Sequence, residues 1–162
     1  MKATRRLCAL VLLLIACGAA SKNAYKIYRP NSSGSANGVR IIVRRVAVSH
    51  REIVITMTLQ NLAPGFATFL PYNKSVLTDD RDDVYRSIET RDWRLTDKQL
   101  FLGVRLAGNA QYTGTMRFLA PSGAASTNGS PHALHLEIAP VVREDAQAQP
   151  FSVELPVIAL RE

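Results

Sequence analysis

Several groups of side chains in this sequence have types and spacings that could do chemistry. Asp79, Asp80, Asp82 and Asp83 form the densest acidic run. Hard cations such as calcium take several oxygen ligands, so an acidic run is the first place to look for one. A calcium loop of the EF-hand kind also needs a glycine and a distant glutamate in register, and neither is there. Aspartate suits tight turns, so the expectation is a solvated hairpin tip. His132 and His135 form an H-x-x-H pair. On a helix both would project one way. On a strand, which the local pattern favours, they project to opposite sides and do not share a metal. His50 falls in a turn, and Met57 and Met116 fall at core positions, which leaves no set suited to copper. No serine stands in a Gly-x-Ser-x-Gly elbow. The reading is a protein that is not an enzyme and holds no metal or cofactor. Trp93 is the lone tryptophan, flanked by Arg91, Asp92 and Arg94. Tryptophan and arginine dominate binding hot spots, so Arg91, Trp93 and Arg94 are the candidate contact surface. The competing role for Trp93 is a large ring folded back over one end of the domain.

Cys17 carries different chemistry. Lys2, Arg5 and Arg6 precede an apolar stretch from Leu7 to Ala16, and small residues follow. This is the layout of a secretory signal. The stretch is about half the roughly twenty residues needed to span a bilayer. The tetrad Leu14-Ile15-Ala16-Cys17 resembles the lipobox of bacterial lipoproteins. That resemblance implies cleavage before Cys17 and acylation of its thiol and new amino terminus. Two or more acyl chains anchor a protein stably at a membrane. Gly18 after the cysteine resembles the outer-membrane sorting pattern of such lipoproteins. The alternative is cleavage after Gly18-Ala19-Ala20, which would release a soluble chain beginning at Ser21.

Composition narrows the function further. The chain has 162 residues with 20 Lys and Arg, 13 Asp and Glu, and two cysteines, Cys8 and Cys17. Residues 1–20 hold three of the bases and no acid, so the remainder carries only +4. That mild charge does not call for a nucleic-acid partner. With no cysteine after Cys17, the exported domain has no internal disulfide. Roughly 140 residues suffice for one domain with a real core.

The segments that must position these residues read as strands. Residues 1–16 are the signal and 17–38 a lipidated amino terminus with a polar tether, Pro30–Gly38 being small and turn-prone. The domain is expected over 39–162. Ile53, Ile55, Met57 and Leu59 alternate with Val54, Thr56, Thr58 and Gln60, the clearest strand in the chain. Val39, Ile41 and Val43 alternate before it, but Val46 and Val48 are out of phase, so a bulge at Arg44-Arg45 is expected. Ser49–Glu52 joins the two as a hairpin. Further strands are expected at Phe66–Leu70, Ser75–Thr78, Val84–Ile88, Gln111–Leu119, Leu134–Ile138 and from Phe151, where Pro156 marks an edge or bulge. One helical turn is expected near Thr96–Leu100 behind a capping box. Pro121–Pro131 and Val141–Pro150 read as loops. About seven strands separated by turns predict an antiparallel β-sandwich of immunoglobulin-like type.

Three pieces carry a further likeness. Ile53–Asn61 is a long strand closing on an asparagine turn. Val76–Asp80 with Val84-Tyr85 is a hairpin. Leu106-Ala107-Gly108 precedes Thr113–Phe118. Together they resemble the immunoglobulin-like domains of unknown function on many bacterial lipoproteins and secreted antigens. The sandwich called intracellular proteinase inhibitor is similar over the same span. This chain carries Asp82 where the second hairpin of such domains often has glycine, and Ala107-Gly108 where they often have Pro-Gly. The resemblance implies no catalytic residue. The functional expectation is an envelope lipoprotein that contacts the membrane through Cys17 and binds another envelope protein. A protease inhibitor presenting Gly65–Asn73 or Pro121–Pro131, and a glycan- or lipid-binding module, are the alternatives.

Overall fold

The computed structural model describes residues 25–70, 74–91, 104–121, 130–144 and 149–161, with backbone alone at 88–91. The all-β antiparallel architecture read from the sequence stands, with eleven strands among the described residues where about seven were expected. They are β1 Lys26–Tyr28, β2 Ser32–Ala36, β3 Val39–Val48, β4 Glu52–Asn61, β5 Ala67–Phe69 and β6 Val76–Asp79, followed by β7 Val84–Arg91, β8 Val104–Leu106, β9 Gln111–Leu119, β10 Ala133–Arg143 and β11 Phe151–Ala159.

One layer holds β3, β4 and β9, with β1 and β2 end to end along the outer edge of β3. The other holds β6, β10 and β11, with β5 and β8 beyond β10. β7 joins the layers by pairing with both β6 and β9. A single apolar core fills the space between. Ile53, Ile55, Met57 and Leu59 from one layer and Leu77, Leu136, Ile138 and Val153 from the other are all buried in it. Each fully buried side chain of this size contributes about 1.5–3 kcal/mol, which is why the period of two dictates the strands.

The bulge sits where the sequence requires it. Val43 lies opposite Met57 and Arg45 opposite Thr56, so Arg44 is the extra residue. Val39, Ile41, Val43 and Val46 all reach the core as a result. In β11, Leu155 pairs with Leu136 and Ile158 with Leu134, which leaves Pro156 and Val157 in a bulge. There Pro156 removes no ladder hydrogen bond that the sheet needs.

Four expectations are corrected. The segment 31–38 is not a free tether: Ser32–Ala36 pairs with Val39–Val43, and the described fold begins ahead of residue 39, at Tyr25. Its polar side chains hid it, because backbone pairing needs no apolar side chain. Gly34 is fitted to this place, since a Cβ there would overlap the Glu154 carbonyl oxygen of β11. Second, the start of the 141–150 loop is strand: β10 runs on to Arg143, and its last three residues pair with β5. Third, β7 continues to Arg91 and a short β8 begins at Val104. Fourth, Ala67–Phe69, inside the stretch Gly65–Asn73, is no exposed inhibitor loop: it is paired on both edges and Phe69 is fully buried. The helical turn at Thr96–Leu100 and most of Pro121–Pro131 lie outside the described residues.

Candidate functional site

The strands run between two ends, each organised by one buried polar side chain. Tyr25, the Ser49–Glu52 turn, the Asp79–Asp83 tip and Ala159 lie at the end where the described chain enters. Asn37-Gly38, Asn61–Phe66, Ala107–Ala110 and Arg143-Glu144 lie at the other.

At this second end Asn61 is fully buried. Its Nδ2 donates to the carbonyls of Gly65 (3.0 Å) and Leu106 (3.1 Å). Its Oδ1 accepts from the Ala63 N–H and from Arg143 Nη1, each at 3.4 Å. Arg143 also donates to the carbonyls of Asn37 and Pro64. One amide and one guanidinium thus join four segments distant in sequence. Gly108 permits a close approach among them, since a Cβ there would come within 2.9 Å of the Ala63 carbonyl oxygen. That is why position 108 takes glycine.

Beside this hub the surface is amphipathic. Leu62 is 55% exposed and Phe66 38%. The Arg105 guanidinium lies 3.6 Å from the centre of the Phe66 ring and grips Glu144 with two bonds of 2.6 Å. Thr68 Oγ1 donates to the same carboxylate at 2.8 Å. The Arg105 bonds, ahead of the Thr68 bond, hold the Glu144 carboxyl below its ordinary pKa. Aromatic and arginine side chains are among the types enriched at protein interfaces.

At the entry end Asp79 takes the place that Asn61 has at the other. Its Oδ1 accepts from the N–H groups of Arg81 (2.9 Å) and Asp83 (3.1 Å), and its Oδ2 accepts from the Tyr85 hydroxyl (3.1 Å). Burial, then the Asp79 charge, push the Tyr85 phenol well above its ordinary pKa. Asp82 holds φ at 63°, in the left-handed region that favours glycine. The Asp79 carboxylate is therefore spent on its own hairpin. Among the described residues no three His, Cys, Asp or Glu side chains are grouped to hold a metal. His135 lies within β10, His132 just before it, and both are exposed.

The outer face of β3, β4 and β9 is polar and basic. Thr58 Oγ1 shares a hydrogen bond with Thr113 at 2.9 Å and accepts from Arg44 Nε at 3.1 Å. Thr56 faces Thr115 at 3.4 Å, and Gln60 donates to Gln111 at 3.1 Å. Arg117 holds Glu52 at 2.6 Å, and Tyr25 donates to the same glutamate. A depression of about 190 Å³ on this face is lined by Tyr25, Arg45, Ala47, Val54 and Thr56.

Of the residues the sequence singles out, Cys17, Trp93 and Arg94 lie outside the described residues. Arg91 is described by its backbone alone, opposite Thr115 at the end of β7. The structure thus neither joins these candidates nor separates them. The Asn61 hub and the Arg44-Arg45 face were not singled out. The first had a signal in the buried-length strand that closes on asparagine, the second in the doubled arginine at the bulge.

No known protein-family model matches the chain, and no curated protein matches it. Among solved structures it is similar to a conserved hypothetical protein from Bacillus anthracis, at 14% identity over 80% of this chain and 99% of that one, with a TM-score of 0.46. A likeness of that extent bears on neither site nor activity.

Proposed function

We propose that this chain is a non-catalytic, membrane-anchored envelope lipoprotein of the immunoglobulin-like kind, whose sandwich acts as a protein-binding or accessory module. The observation that carries the reading is the placement of the two ends. The described residues begin at Tyr25, and the exposed Leu62 and Phe66 lie at the opposite end of the strands. The eight residue steps from Cys17 to Tyr25 span at most about 29 Å when fully extended. Acyl chains on Cys17 would hold the entry end near the bilayer and leave the Asn61 end turned outward toward a partner. That end is cross-linked by hydrogen bonds among four segments, so it presents Phe66 at little cost in ordering. Arg91, Trp93 and Arg94 remain the sequence's own candidates for the same contact.

The test compares intact mass and membrane partitioning of the wild type and Cys17→Ser. The expected result is an acylated wild type in the membrane fraction and a variant that leaves it. A wild type that begins at Ser21 and stays soluble overturns the anchor. Cross-linking of wild type and Phe66→Ser then reads the partner surface. An envelope protein captured equally by both removes Phe66 from it.

A further inference from the structure

We infer that the outer face of β3, β4 and β9 is a binding surface for an acidic polysaccharide. This goes beyond the anchored-module reading and does not depend on Cys17.

In a regular strand two consecutive side chains point to opposite faces. The extra residue at Arg44 breaks that rule, and both Arg44 and Arg45 are exposed on the outer side. The bulge that returns Val46 to the core thus also puts two consecutive arginines on the same face. Arg40, opposite Gln60 on the same face, adds a third. Among the described residues none of these three has a carboxylate partner. Arg40 donates to Ser33 Oγ at 3.3 Å and Arg44 to Thr58 Oγ1 at 3.1 Å. The face's one described acid, Glu52, is occupied by Arg117 and Tyr25.

The rest of the face decides what kind of anion fits. Beside the arginines stand the hydroxyls of Thr56, Thr113 and Thr115 and the amides of Gln60 and Gln111, in cross-strand pairs. Successive outward positions on one strand stand roughly 6.6–6.8 Å apart, so these groups form a ladder along the strands. An extended chain rich in hydroxyls with periodic carboxylates complements such a ladder. Arginine pairs with carboxylates in bidentate fashion, and hydroxyls pair with threonine and glutamine. The depression of about 190 Å³ beside Arg45 has a Tyr25 wall and an Ala47-Val54 floor, room for a sugar ring. An acidic peptide would meet few apolar pockets here and no open strand edge on this face.

The test measures retention of the full chain in detergent on gels containing alginate, dextran or poly-glutamate. The variants are Arg45→Gln, Arg40→Gln/Arg45→Gln and, as a charge-matched control away from the face, Arg51→Gln. All are exposed, and thermal unfolding checks that they fold. The expected result is retention by alginate and not by dextran, weakened roughly tenfold by Arg45→Gln, further in the double variant, and little by Arg51→Gln. No retention by alginate overturns the inference. Equal weakening by Arg51→Gln overturns it in favour of diffuse charge. Poly-glutamate held as tightly, with the same dependence on Arg45, overturns it in favour of an acidic peptide.

Discussion

Asn61 and Asp79 occupy equivalent positions at opposite ends of the sandwich, and they solve different problems. The amide both donates and accepts, so Asn61 can satisfy carbonyls from two separate loops while receiving an N–H and a guanidinium. A carboxylate only accepts, so Asp79 can serve only N–H and O–H groups, and the ones it serves lie within six residues. One hub is long-range and integrates an end of the domain. The other is local and caps a single hairpin. The difference teaches that two side chains of nearly the same shape fix either a junction or a turn, according to which hydrogens they carry.

Exchanging the two chemistries breaks that comparison most sharply. Asn61→Leu leaves the Gly65 and Leu106 carbonyls buried without donors. We predict a loss of about 3 kcal/mol in chemical denaturation, from two orphaned acceptors. Asn61→Asp should lose nearly as much, because it also removes both donors. Asp79→Asn should cost only about 1 kcal/mol, since an amide can keep Oδ1 on the two N–H groups and donate Nδ2 to the Tyr85 oxygen. Equal losses for Asn61→Asp and Asp79→Asn would erase the distinction.

Tyr85 supplies a smaller effect with a pH signature. Its pKa is raised in the fold by burial first and by Asp79 second. The folded state therefore holds the proton more tightly than the unfolded chain. The stabilising share is complete below about pH 10, the ordinary tyrosine value, and is lost as pH rises above it. Tyr85→Phe should cost about 1–2 kcal/mol near neutrality. It should also flatten the alkaline loss, read by unfolding at a series of pH values. A variant with the wild-type alkaline slope would remove Tyr85 as the cause.

The smallest effect belongs to Glu144. Its pKa is lowered, chiefly by Arg105, so its share is present above the ordinary carboxyl value and is lost as pH falls. Both partners are more than a third exposed, and Glu144→Gln should cost less than about 1 kcal/mol, with most of that gone at high salt. A larger, salt-insensitive loss would mean that Glu144 is part of the Asn61 junction rather than its rim.

The strands whose apolar positions alternate were legible in the sequence. Ile53–Leu59 and Tyr112–Phe118 show their period directly, and the phase slip between Val43 and Val46 places the bulge at Arg44-Arg45, within which the register makes Arg44 the extra residue. Strands held by backbone pairing alone were not. Ser32–Ala36 carries no large side chain, and its place depends on Gly34 fitting under a carbonyl of β11, a contact more than a hundred residues away. β8 offers only Val104 and Leu106 as a pattern. Val141, beyond Ala139-Pro140, is buried because β10 finds a second partner in β5, which no local signal reports. The junction was half legible. Asn61–Gly65 reads as a turn, but the burial of Asn61 depends on Leu106 and Arg143, whose approach is a property of the fold.

The meeting of β2 with β11 has a mechanical consequence. Ser32 donates to the Val157 carbonyl at 3.2 Å, so β2 stands between β3 and β11 and spans the gap between the two layers. A pull on the chain ahead of Tyr25, resisted at the Asn61 end, runs along the strands. It loads the bonds between β1 and β3 and then those between β2 and β3 together, in shear, because ladder bonds lie across the strands. Shear requires many bonds to fail at once, whereas a pull across the sheet would unzip them singly. The amino-terminal strands therefore act as a strain-bearing clasp.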